Sequence, residues 1–397
     1  MQTTSWTNVA IFLAGGTIAA IHIGKVPTAL AIIQLEFEMN LILAGLFFSI
    51  FSLIGVFLGV SAGSIFTKVA SSKIIFSAFA ILAICDVAGA RTDDLFVLFL
   101  GRIFEGLCFV AIAVTFPTYI TFVTNARDRP LALSIWSLFI PIGFAISLTT
   151  SSVLLSNGIW RDMWTLCAIL SCLYLVIAYI FIPKNTHKTL SNKNPLNIIR
   201  SVISDLNLLK LSMIFTFYAF QWITIIAWFP SFLVENFNLN LQNAAIFTSL
   251  AVIVNIPGNL LGGRLNQLNY KPKRILMFAT LAMFVSTCGI FFSTFGPIFA
   301  VFSALSFSFF AGLVPSTLFA NVPVFSPSRE HLGAANGLLF QGSAFGQLIG
   351  SPVVASFIFF GGGNWTYAGA PLLICASAQL YLSNKLASRH EKPAPNN

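Results

Sequence analysis

Leu95-FVLFLGRIFEGLCFVAIAVTFPTYI-Thr121 is the stretch that decides the fold. It runs for 27 residues, long enough as a helix to cross the roughly 30 Å hydrocarbon layer, and its interior charges are confined to Arg102 and Glu105. An outer-membrane strand would alternate apolar and polar residues, and no such alternation is present. A helix satisfies its own backbone hydrogen bonds, which is the condition for lying in lipid.

Runs of this kind recur along all 397 residues. The composition is 57% hydrophobic and 8% charged, with a mean hydropathy of +0.88, against roughly one quarter charged in soluble domains. Expected spans fall at 8–32, 41–62, 74–91, 95–121, 131–155, 163–183, 209–234, 243–262, 275–293, 296–320, 333–359 and 365–385. No basic n-region and cleavage site mark the first as a removed leader, so it is read as a retained span. The net charge of +9 is dispersed in short clusters between apolar runs, without the basic face or aromatic motif of a nucleic-acid binder. Placing the N-terminus in the cytoplasm puts nearly all Lys and Arg on that side. Arg91 and Arg161 lie outside, and Lys25 and Arg102 lie within spans. The expectation is a multi-pass protein of a bacterial inner membrane with both termini cytoplasmic. The six cysteines sit in or at the ends of apolar runs, without metal-type spacing.

The longest polar stretch divides the chain into residues 1–183, a cytoplasmic linker 184–208, and residues 209–397. Shifted by about two hundred residues, Gly63 and Lys73 fall on Gly263 and Lys273, Arg127-Asp128 on Arg329-Glu330, and Gly158-x-Trp160 on Gly363-x-Trp365. The expected fold class is therefore an all-α membrane protein of twelve transmembrane helices, in two six-helix bundles related by pseudo-two-fold symmetry.

This arrangement resembles the major facilitator superfamily, and local motifs agree. The family's loop between spans 2 and 3, G-x-L-x-D-R-x-G-R-K, is similar to Gly63-Ser-Ile-Phe-Thr67-Lys68-Val-Ala-Ser-Ser-Lys73 and to Gly263-Arg-Leu-Asn-Gln267, although Thr67 and Gln267 replace the acid of its charge relay. Gly101-Arg102-Ile-Phe-Glu105-Gly106 resembles the R-x-x-[QE]-G element of proton-coupled members. Span 5 carries Pro141-Ile-Gly143 but not the antiporter signature. Span 11, from Asn336 to Pro352, resembles bacterial exporter-like members. The resemblance implies alternating access, with protons and a small molecule as partners and export favoured over uptake; no cofactor is expected.

Ionisable groups in a span cost several kcal/mol unless they are paired or wet, so each is a candidate. Lys25 and Arg102 enter spans 1 and 4 to similar depths from opposite sides, and facing one cavity they would favour an anionic solute. The alternatives are a snorkelling Lys25 and an Arg102 paired with Glu105 or Asp86. Glu105, one turn from Arg102, is the candidate proton carrier, with Asp86 and His22 as rivals. In the second half the candidate wall is aromatic and amide-bearing: Tyr218, Gln221, Trp222 and Trp228 in span 7, Asn255 and Asn259 in span 8, and Asn336, Phe340, Ser343 and Gln347 in span 11. Gly312 and Pro315 mark a flexing point in span 10. The functional expectation is a proton-coupled secondary transporter of a small organic, anionic solute, acting as a monomer in the lipid bilayer. A carboxylate siderophore or drug exporter is the neighbouring alternative, and a non-transporting receptor or scaffold the alternative of another class. Neither a catalytic constellation nor a Walker motif is present, and His187, His331 and His390 are isolated, which argues against an enzyme or an ATP-driven pump.

Overall fold

The computed structural model describes residues 4–39, 41–66, 71–154, 160–182, 194–292 and 295–386. Thr67, Lys68, Gly158, most of the polar linker, His187 and His390 lie outside the described residues.

The described residues form helices α1 Trp6–Glu36, α2 Leu41–Phe66, α3 Ser71–Arg91, α4 Leu95–Val123, α5 Arg129–Trp136, α6 Phe139–Leu154 and α7 Arg161–Phe181 in the first half. After the linker helix α8, Pro195–Ser204, come α9 Leu206–Phe237, α10 Leu241–Gln267, α11 Pro272–Phe291, α12 Pro297–Phe325, α13 Leu332–Phe360 and α14 Thr366–Asn384. Eleven spans among the described residues are long and apolar enough to cross a membrane, α5 and α6 counting as one. The twelfth, α14, is 19 residues long and dilutes its apolar surface with Gln379, whose amide bonds inside the bundle.

The boundaries follow from local chemistry. The carboxylates and amides of Asp94, Asn194, Asp205 and Asn240 accept backbone N–H bonds at the starts of α4, α8, α9 and α10. Pro195, Pro272 and Pro297 occupy first-turn positions where no N–H is needed. Asn238 ends α9 in the left-handed conformation, with φ +54°. The fifth span differs from the expected continuous helix: it breaks at Ser137-Leu138, four residues before Pro141, whose ring removes the N–H that would bond back to Ser137. The linker differs too, because α8 is a helix that buries Ile198 and Val202 while Leu196 and Ile203 stay exposed.

Consecutive spans run antiparallel, so the start of α1, the end of α14 and α8 lie at one face, called here the terminal face. There the backbone N–H of Ser5 donates to Val123 O at 2.9 Å, and Lys210 Nζ donates to Lys385 O at 2.7 Å. Trp160 and Trp365 mark the opposite rim. Trp160 Nε1 donates to Glu36 at 2.6 Å and Trp365 Nε1 donates to Glu235 at 3.1 Å, so the repeated Gly-x-Trp element makes the same contact in both halves. Glu36 also pairs with Arg161. Large apolar side chains such as Phe57, Phe96, Ile298, Phe302 and Phe360 face outward, as a lipid-embedded bundle requires.

Candidate functional site

Between the halves lies a narrow cavity. Its walls come from α1 (Ile23), the start of α6 (Phe139, Phe144), α9 (Phe215, Tyr218, Trp222), α10 (Asn255), α12 (Pro315, Phe319) and α13 (Ser343, Gln347), with Ser137 at the α5–α6 break. Rings dominate this wall. Phe144 meets Trp222 edge-on at 6.0 Å between centroids, and Phe340 packs behind it against Phe319, Phe215 and Phe139. Trp222 Nε1 donates to Ser308 Oγ at 3.3 Å, and Gln347 Nε2 donates to Ser343 Oγ at 3.0 Å. No charged side chain lies among the described lining residues.

The cavity is closed toward the terminal face. α2 and α13 meet through glycines: a methyl group on Gly63 would lie 2.0 Å from Gly333 O, and one on Gly337 would lie 2.1 Å from Gly59 O. The amide of Gln341 donates to Val56 O at 2.6 Å, and that of Asn336 donates to Thr118 Oγ1 at 3.1 Å. Across the pseudo-symmetric seam, Ser137 Oγ donates to Asn259 Oδ1 at 2.6 Å, and Asn259 bonds onward to Asn255. Gly263, the repeat of Gly63, packs on Ser134. Backbone contact and amides join the halves here, and the Gln267 side chain accepts from Arg264 of its own helix at 2.6 Å. Gly312 belongs to the same packing, with its Cα face against Asn255 and Asn259 of α10.

The ionisable candidates gather elsewhere, inside the first half. His22 and Lys25 of α1, Asp86 of α3, and Arg102 and Glu105 of α4 are each at most 1% exposed. Lys25 Nζ pairs with Asp86 and, at 2.7 Å, with Glu105 Oε1. Arg102 NH1 pairs with Glu105 Oε2 and donates to His22 O at 3.0 Å. His22 Nε2 lies 2.7 Å from Asp86 Oδ2, and the Lys25 ammonium stands 4.5 Å above the centre of the Trp164 ring. Arg102 stacks over Phe51, and its Nε and NH2 have no hydrogen-bond partner among the described residues. Two buried cations against two buried anions keep the cluster near neutral, the condition for holding charge in a low-dielectric interior.

Of the sequence candidates, Tyr218, Trp222 and Gln347 line the cavity, together with Asn255 and Ser343. Phe340 supports it, Asn336 joins the halves below it, and Gln221 turns away to bond Gln379 at 2.9 Å. Lys25 does not snorkel to an interface, and Arg102 pairs with Glu105 rather than Asp86. Neither cation lies on the cavity wall. Ser137, Phe139, Phe144, Phe215 and Phe319 were not singled out by sequence, because one phenylalanine among 42 carries no positional signal. His22, Asp86 and Cys167 bring possible ligand atoms within 4.8 Å of one another, yet the Lys25 ammonium on Asp86 opposes a divalent cation there.

Comparison with known proteins places the fold. A family model described as Major Facilitator Superfamily matches residues 7–351. The structure superposes on FucP, the E. coli fucose:proton symporter, in its outward conformation (TM-score 0.76, 14% identity, 96% of this chain and 98% of that one). It also superposes on the human organic anion transporter MFSD10 (TM-score 0.77, 13% identity, 95% and 98%). A curated relative, the probable sulfoacetate transporter SauU of Cupriavidus necator, is 26% identical over 168 residues, 40% of this chain, and the match spans 39% of that relative's length.

Proposed function

We propose, from the premise that this chain belongs to the Major Facilitator Superfamily, that it carries a small organic solute in the aromatic cavity and couples that movement to protons through the buried cluster of the first half. Alternating access supplies the cycle: the seam below the cavity opens as a seam on the far side closes. The observation that carries this reading is the ring-lined cavity between two halves that are joined below it on the terminal-face side. A wall of six-membered and indole rings with Ser hydroxyls and Asn and Gln amides suits a solute with an apolar face and a few hydrogen-bonding groups. Export is the direction favoured by the span 11 resemblance.

A second reading, an anionic solute, draws on Arg102: its unpaired Nε and NH2 form a free guanidinium edge that can accept a carboxylate or sulfonate once α2 shifts. The partial match to a probable sulfoacetate transporter supports it.

Fluorescence of Trp222 tests both. Neutral aromatic solutes and small anions, sulfoacetate included, are titrated against the purified protein and against Trp222→Phe. Quenching that persists in Trp222→Phe would place the solute elsewhere, and quenching by an anion that disappears in Arg102→Gln would select the second reading. With any solute so found, proteoliposomes loaded with a pH-sensitive dye should show proton movement on its addition; none removes the coupling.

A further inference from the structure

The hydrogen-bond arithmetic around His22 does not close with ordinary protonation states. Its Nδ1 lies 2.7 Å from Ile18 O, a backbone carbonyl that only accepts, so Nδ1 carries a hydrogen. Its Nε2 lies 2.7 Å from Asp86 Oδ2, and two lone pairs do not face each other at that separation, so a second hydrogen stands between them. A neutral imidazole and an ionised carboxylate supply only one of these two hydrogens.

We propose that His22 and Asp86 together hold one exchangeable proton, and that this pair, rather than Glu105, is the proton site of the cluster. The proposal rests on the coupling reading above. Glu105 is unsuited because Lys25 occupies one of its oxygens and Arg102 the other, so both already accept from cations. Asp86 has one oxygen on Lys25 and gives the other to His22.

The groups facing the pair are Lys25 on α1, Cys85 on α3, Arg102 and Glu105 on α4, and Cys167 and Ser171 on α7, with Ser171 Oγ 3.4 Å from Nε2. With the four permanent charges balanced, the shared proton is the cluster's net charge, and its loss sets the Nε2 lone pair against Oδ2. The pair must then separate, which moves α1 against α3. Residue 23, next to His22, is part of the cavity wall, so the same displacement of α1 is felt by a bound solute. Proton occupancy and solute occupancy thus meet in one helix.

The test reads the proton directly, without a solute. Protein labelled with ¹⁵N-histidine is studied by NMR in nanodiscs at about pH 8, where a histidine of ordinary pKa near 6.5 is only about 3% charged. A triple variant, His187→Gln, His331→Gln and His390→Gln, leaves His22 as the single signal. The expected result is an imidazolium at His22, or a neutral His22 accompanied by a protonated-carboxyl infrared band that Asp86→Asn removes. A neutral His22 with a bare Nε2 and no protonated carboxyl overturns the proposal. So does a carboxyl band that disappears in Glu105→Gln and persists in Asp86→Asn. If the proton is found at the pair while the dye-loaded proteoliposomes show no proton movement, the site stands and the coupling reading fails.

Discussion

The two halves share one scaffold and fill the same junction with different chemistry. In the first half, the meeting point of α1, α3 and α7 holds His22, Asp86 and Ser171. In the second, the equivalent meeting point of α9, α11 and α14 holds Gln221, Thr280 and Gln379: Gln221 Nε2 donates to Gln379 Oε1 at 2.9 Å, and Gln379 Nε2 donates to Thr280 Oγ1 at 2.9 Å. The geometry of three buried polar groups on three helices is kept while the charge is lost. A duplicated fold needs hydrogen-bonded glue at this junction in both halves, whereas ionisable glue serves a purpose in one of them. The second half contributes more of the cavity wall, and the first carries the charges.

The largest expected effect breaks the comparison at Asp86. Asp86→Leu strands the Lys25 ammonium with a single carboxylate, and removing one partner of a buried ion network costs about 3–5 kcal/mol. Thr280→Val, its counterpart, leaves one amide hydrogen of Gln379 unmet at about 1–3 kcal/mol. Thermal unfolding of both variants in one detergent should show the greater fall in Asp86→Leu. Equal falls would mean that the charged junction is structural glue like the neutral one.

A middle-sized effect lies at the glycine seams. Gly63→Val drives a side chain into the backbone of α13, where even its first carbon would lie 2.0 Å from Gly333 O, and Gly263→Val meets Ser134 less closely, at 2.4 Å from its Cβ. Overpacking of this kind costs about 1–3 kcal/mol. Labelling of a cysteine placed at Ser343, on the cavity wall, should rise more in Gly63→Val than in Gly263→Val; labelling that rises in neither would show that the seam does not open at α2 and α13.

The smallest effect is at the rims. Burial pushes the Glu36 carboxyl up, but hydrogen bonds from Trp160 and Arg161 and the Arg161 charge outweigh it and hold the group below its ordinary value. A carboxyl depressed in the folded state stabilises above its unfolded pKa and loses that contribution as pH falls through its folded value. Trp160→Phe should therefore lessen the acid-side loss of stability, and the part of its cost that comes through Glu36 should stay under about 1 kcal/mol near neutrality, since that carboxylate is partly exposed. Trp365→Phe lacks an arginine neighbour in the second rim, where residue 366 is threonine, and should change the acid limb less. Thermal melts across acidic pH separate the two.

Much of this was readable along the chain. Span positions agree within a few residues because lipid leaves the backbone no other way to bond, and the two-hundred-residue offset landed on real equivalences, from the glycine seams to the tryptophan rims. The same offset, carried to Glu36 and Glu235, would have found the rim acids too. The break in the fifth span is signalled in the sequence by Pro141. The candidate site was legible in part: Tyr218, Trp222 and Gln347 fall on the cavity, and the ionisable residues were all identified as candidates.

Hydropathy, charge asymmetry and internal repetition are properties of position along the chain, and they determined by themselves that this is a twelve-helix membrane protein of two related halves. Which buried residue meets which depends on how each helix is rotated about its axis, and helices of nearly uniform apolarity hold little trace of that rotation. Tertiary packing alone therefore decided that Lys25 and Arg102 turn toward Asp86 and Glu105 instead of the cavity. It also decided that both nitrogens of His22 point at acceptors.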